Sequence, residues 1–143
     1  MSELNDSSPS VQTHLQILQG VIQRMANNSS QCKAWCITLV SAILIIIADK
    51  GKPDLAWVTM IPSILFFALD SYYLALEKGF REAYSEFIKK LHDDSLNVKD
   101  MFEVKPRGKT SSHFFEAMKS FSVWGVYSGL VILIAVTRII ILS

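Results

Sequence analysis

Three apolar runs, Trp35–Ala48, Trp57–Leu76 and Phe121–Leu142, leave this 143-residue chain few ways to fold in water. The third is a stretch of about 20 residues, enough to cross a bilayer core of about 30 Å. It carries one late charge, Arg138. Hydrophobic residues make up 50% of the chain. A soluble domain can be as apolar, but it spaces such residues periodically. Here they are blocked, with nearly all the charge between the blocks. The pattern predicts an all-α integral membrane protein: three transmembrane helices with long cytoplasmic helical extensions, assembled as an oligomeric bundle. Residues 1–143 then form a single helical membrane domain, because too few are left over for a second domain with its own core.

Charge sets the expected topology. Nine Lys/Arg residues lie between the second and third runs, against two, Lys50 and Lys52, between the first and second. Cytoplasmic loops carry the excess of such residues, so the long connection is cytoplasmic. The N-terminus is then cytoplasmic, while the turn Gly51-Lys52-Pro53-Asp54 and the C-terminus lie outside. Trp57, Tyr72, Tyr73, Trp124 and Tyr127 fall near the run ends, where amphipathic rings favour the headgroup level. No n-region, h-region or cleavage site precedes the first run, so no removable signal peptide is expected. The first run is short, about 21 Å as helix. Lys33 and Lys50 snorkelling outward, a thinned bilayer, or a helix facing protein or water would make up the difference.

Two helices are expected to continue past the membrane. Val11, Leu15, Leu18, Ile22 and Met25 form one apolar stripe, which makes residues 10–33 a cytoplasmic amphipathic helix running into a first span at 35–50, softened at Asn27 to Ser30. Leu69, Tyr73, Leu76, Phe80, Phe87 and Leu91 extend the second span (56–76) as a cytoplasmic helix to about residue 92. Glu77–Arg81, Lys78–Glu82 and Glu86–Lys90 support its exposed face as opposite charges four apart. Pro62 is expected to kink it near the outer end. The aromatic stripe must bury itself, against residues 10–31 of the same subunit, between subunits, or both. Residues 93–112 read as a basic cytoplasmic connection, and helix resumes at His113 to enter the third span, 121–142.

Asp70 is the acid inside the second run, and an ionisable group at that depth faces a bundle interior or water. It marks Asp70, Ser71 and Tyr73 as pore or gating candidates. The plainer alternative is a carboxylate bonded to a tyrosine or to Lys119. Ser122, Gly125 and Gly129 make a small-residue stripe suited to close helix–helix packing in an oligomer. Arg138 is expected to snorkel outward, or to contribute to an outer ring. Lys105, Arg107 and Lys109, with Lys89, Lys90 and Lys119, form a candidate phosphate-binding surface for a nucleic-acid ligand. A juxtamembrane segment drawn to anionic lipid is the competing use. Cys32 and Cys36 stand one helical turn apart, where a disulfide is rarely possible, and are expected to pack at a helix interface. There is no phosphate-cradling glycine loop, metal-spaced His/Cys set or nucleophile elbow, so neither catalysis nor a cofactor is expected.

The segments LQGVIQRMAN (Leu18–Asn27), QCKAWCITLVSA (Gln31–Ala42) and ADKGKPD (Ala48–Asp54) resemble small bacterial membrane proteins found beside anti-phage defence genes. Over residues 10–90 the chain is most similar to the channel-forming subunit of Hailong-type systems. That resemblance implies an oligomeric channel in the bacterial inner membrane, a tetramer favoured, with the lipid bilayer and copies of itself as partners and no protein substrate. It also implies a nucleotidyltransferase partner whose short single-stranded DNA oligomers keep the channel closed, so that their loss depolarises the infected cell. The charge argument alone, not the resemblance, picks the ligand residues. A holin-like pore former and a non-pore scaffold or regulatory subunit remain alternatives; the N-terminus of three-span holins usually lies outside, against the charge count.

Overall fold

The computed structural model describes residues 6–142, and these form four α-helices and two short 3-10 turns, with no strand among them. The first helix, α1 (Pro9–Lys50), is unbroken over 42 residues, a rod of about 63 Å. Pro9 stands in its first turn, where the missing N–H is no loss. Val11, His14, Leu18, Ser29, Cys32, Cys36, Val40, Leu44 and Ile47 are its buried residues. With Ile22 and Met25 between, they step by three and four along the whole rod, so one face is turned inward from end to end. The expected softening at Asn27 to Ser30 is absent: this segment is regular helix because Ser29 points into the packed face.

Gly51 ends α1 in the left-handed conformation (φ 58°), its N–H bonding Ala48 O (3.1 Å) while Lys52 N–H bonds Ile47 O (3.4 Å). That is a Schellman stop, followed by Pro53 and a 3-10 turn, Pro53–Thr59. The second helix, α2 (Met60–His92), returns antiparallel beside α1. It begins three residues later than the expected Trp57. Pro62 therefore sits in the first turn, where it displaces no hydrogen bond, and the expected kink has no cause. A left-handed Asp94 (φ 50°) closes α2, with Ser95 N–H on Lys90 O at 3.0 Å.

The connection is not a loose loop. A 3-10 turn, Val98–Phe102, lies against the charged end of the hairpin, and Leu96 and Met101 pack beside Leu18, Phe87 and Leu91. The chain then runs back along α2 and crosses it at Gly79, whose carbonyl accepts the Arg107 N–H at 2.9 Å. A Cβ on Gly79 would stand 2.8 Å from Pro106 Cβ and 3.1 Å from Arg107 O, so only glycine allows the crossing. Helix α3 (Thr110–Met118) continues along α2, three residues earlier than the expected His113. It breaks at Lys119–Ser120 before α4 (Phe121–Leu142), which packs on the apolar half of the hairpin and on the Pro53–Thr59 turn.

Three helical segments are long and apolar enough to cross a membrane: Pro9–Lys50, Pro53–His92 and Phe121–Ile140. Only 28%, 28% and 22% of their most apolar windows is buried, so most of that apolar surface is left uncovered by the rest of the chain.

Candidate functional site

Two apolar cores are stacked along the hairpin. In the apolar half, Cys36, Val40, Leu44, Val123, Tyr127, Leu130 and Ile134 pack together; in the charged half, Val11, Leu18, Phe87 and Leu91 do. Between them lies a buried polar knot. Asp70 of α2 is fully enclosed and its Oδ1 accepts two hydrogen bonds: from Lys33 Nζ at 2.8 Å and from the Ser29 hydroxyl at 2.5 Å. Lys33 also donates to Ser29 Oγ at 3.0 Å. Ser29 and Lys33 are neighbours because they stand four apart on α1. Asp70 meets them because the Schellman stop sets the register of the hairpin.

Of the expected partners of Asp70, Lys119 gives way to Lys33, while a tyrosine, Tyr127 of α4, does lie beside the carboxylate. Lys33 does not snorkel outward: its side chain is 15% exposed and is spent on the carboxylate. Among the described residues no well-formed hydrogen bond reaches Asp70 Oδ2 or the buried Tyr127 hydroxyl of α4, yet the two side chains lie close enough to interact. Tyr127 is consequently not at a headgroup surface; it packs edge-on to Phe67 at 5.4 Å inside the core. Ser71 is also enclosed, its hydroxyl turned back to Phe67 O at 2.8 Å, while Tyr73 is half-buried. The Thr59 and Ser63 hydroxyls likewise donate to nearby carbonyls, Ala56 O (2.6 Å) and Thr59 O (2.8 Å), and nearer the charged end Gln19 Nε2 of α1 donates across the seam to the Tyr84 hydroxyl of α2 at 3.3 Å. Cys32 and Cys36 are buried, free and on this seam.

The six cations expected to bind phosphate divide into two groups. Lys90 is held by Asp100 (2.9 Å) and Glu86 (3.5 Å); Arg107 by Glu103 (3.2 Å) and Glu86 (3.3 Å); Lys105 by Glu103 (3.8 Å). The Lys90 ammonium holds the Asp100 carboxyl below its ordinary range, helped by the Asn97 N–H on Asp100. In return Asp100 pushes Lys90 upward. His14, Glu86, Lys90, Asp100, Glu103 and Arg107 surround a cavity of about 20 Å³, room for about one water. Two carboxylates thus already occupy Nε and Nη2 of Arg107 and would compete with a phosphate for its guanidinium. Lys89, Lys109 and Lys119 are exposed and form no ion pair among the described residues.

Glu77–Arg81 (2.8 Å) and Glu86–Lys90 pair as the spacing predicts. The expected Lys78–Glu82 pair does not form, because α3 intervenes: Lys78 takes Glu116 at 2.8 Å and Glu82 takes His113 at 3.3 Å. Lys78 holds the Glu116 carboxyl below its ordinary range. At the other end, Arg138 bonds Asp54 (3.3 Å) and lies over the Trp57 ring (5.8 Å), tying α4 to the hairpin turn. Ser122 and Gly129 of the small-residue stripe are exposed and Gly125 is half-exposed; a Cβ on Gly129 would meet nothing within 4 Å, so no other helix of the subunit covers that position.

Ser29, Lys33, Asp100 and Glu103 are the site residues that the sequence pattern did not single out; Glu86 was expected only as the partner of Lys90. The signal for Lys33 was present: it shares the Cys32–Cys36 segment and is the nearest cation before the first apolar run. No protein-family model, curated protein or solved structure matches this chain.

Proposed function

We propose that this chain is the subunit of a homo-oligomeric channel of the bacterial inner membrane, a tetramer favoured, which acts as an anti-phage effector by depolarising the cell. Its gate is held by an anionic ligand on the charged, cytoplasmic half, a short single-stranded DNA oligomer from a nucleotidyltransferase partner. The observation that carries the proposal is mechanical. Both α1 and α2 run without interruption from the charged half into the apolar half, and Lys33–Asp70 pins them together where the halves meet. A ligand that moves the charged half therefore moves the apolar half. It holds the gate only if it binds the closed arrangement more tightly than the open one. Phosphates would compete with Glu86, Glu103 and Asp100 for Lys90, Lys105 and Arg107 and would add to Lys89 and Lys109.

One observation favours a second reading, a non-pore scaffold or regulatory subunit: Asp70 and Ser71 are enclosed within one subunit and line no outward surface. Planar-bilayer recordings of the purified protein separate the two. The channel reading expects discrete conductance that falls when a short oligodeoxynucleotide is added. In cells it expects the Arg107→Glu and Lys109→Glu variants to bind that oligonucleotide weakly and to leak. An electrically silent bilayer at saturating protein sinks the channel; unchanged oligonucleotide binding in both variants sinks the ligand site.

A further inference from the structure

The elbow between α3 and α4 carries a second surface. Helix α3 descends along α2, with His113 opposite Glu82 and Glu116 opposite Lys78, and its last residues reach the level where the apolar half begins. At this elbow Phe115, Phe121 and Trp124 are 64%, 83% and 61% exposed. Lys119 lies between Phe115 and Phe121 in the chain, exposed and with no carboxylate of the described residues in ion-pair distance. Of the other cations of the charged half, Lys78, Arg81, Lys90, Lys105 and Arg107 each have an acid, while the unpaired Lys89 and Lys109 stand away from the elbow in sequence, with no aromatic residue beside them in the chain. The one carboxylate of α3, Glu116, is taken by Lys78.

We infer that this elbow binds the headgroup of an anionic phospholipid of the inner leaflet. The inference rests on the membrane reading, and it assigns Lys119 to lipid rather than to the soluble ligand. Three uncovered aromatic rings at the end of an apolar helix are suited to the headgroup boundary, where one edge is wet and the body is not. Any phospholipid satisfies the rings. Only a net negative headgroup satisfies the ammonium of Lys119 as well, so the charge selects among lipids. The surface is continuous with the exposed apolar face of α4, where Val131, Ile132 and Val136 lie uncovered.

The test reads Trp124 in the full chain, with Trp35 and Trp57 replaced by Phe so that it is the sole indole. The protein is reconstituted in vesicles of mixed phosphatidylcholine and phosphatidylglycerol, with bromine carried on one lipid or the other. Brominated phosphatidylglycerol should be enriched about five-fold over brominated phosphatidylcholine at the ring. Lys119→Gln and Lys119→Glu should each abolish that preference, and Lys52→Glu, at the opposite end of the molecule, should leave it intact. Equal quenching by both lipids would overturn the inference, as would a preference that survives both Lys119 variants. Loss of the preference on adding a short oligodeoxynucleotide would give Lys119 to the soluble ligand instead. Protein that fails to float with any vesicle would overturn the membrane reading itself.

Discussion

Asp70 is where a single side chain decides most. Its carboxylate is wholly enclosed between two apolar cores, and Lys33 and Ser29 are what make that burial tolerable. Removing one partner of such a pair leaves an uncompensated charge, at a cost of about 3–5 kcal/mol. Lys33→Ala and Asp70→Ala should each lower the thermal unfolding midpoint in detergent sharply. The exchanged pair, Lys33→Asp with Asp70→Lys, should recover a substantial part of the loss, since it restores the attraction across the same seam. A swap no more stable than the worse single variant would show that the pair does not fasten α1 to α2. Gly79 decides something different. With Pro106 Cβ 2.8 Å from where its own Cβ would be, Gly79→Val must push the connection off α2. Overpacking of this kind costs about 1–3 kcal/mol. Limited proteolysis should then cut within residues 95–109 while α1 and α2 stay intact, and a resistant connection would argue against the crossing.

Among the elements, the connection is the one whose docking depends on titration. Asp100 is held below its ordinary range, so its contribution is present above the unfolded carboxyl value of about 3.9 and is lost as pH falls through the lowered folded value. Lys90 is pushed upward, so its contribution is present below about 10.4 and is lost as pH rises through the raised one. Spin labels at the exposed Val98 and Ser85 should therefore report one distance between about pH 5 and pH 9, broadening below about pH 4. In Lys90→Met the distribution should already be broad at neutral pH. The helices themselves were legible in sequence: the stripe from Val11 to Met25 and the run from Leu69 to Leu91 gave α1 and most of α2. What periodicity does not encode is partnership across distance. Lys33 and Asp70 are 37 positions apart. Lys78 abandons a neighbour on its own helix for Glu116 on another. The break at Ser120 is set by packing of α3 against α2, with no proline or glycine to announce it. Counting cations likewise missed Asp100, Glu103 and the second partner of Glu86, because acids folded onto Lys90 and Arg107 cancel charge that the linear sequence leaves standing.

At the scale of the whole molecule, the uncovered surface governs. The chain by itself leaves the Ser122 and Gly129 positions of α4 open, and the atoms nearest to where a Cβ on Gly125 would stand are those of the Phe121 ring of its own helix. If copies meet there, Ser122→Cys in a Cys32→Ala/Cys36→Ala background should oxidise to a disulfide-linked dimer in membranes. Gly129→Leu should suppress that product by keeping the backbones apart. Efficient cross-linking with Leu at 129 would move the contact to another face. On the proposed membrane reading the enclosed pair has a further consequence, for how such a chain would enter a bilayer. Alone, the first apolar segment would drag an ammonium to the edge of the hydrocarbon and the second would carry a bare carboxylate into it. Together they bring no net charge. The cheapest route is therefore for the translocation machinery to hold the earlier segment until its mate has been synthesised and to release both as a neutral couple. Any change that delays the later segment should strand the earlier one for quality-control proteolysis.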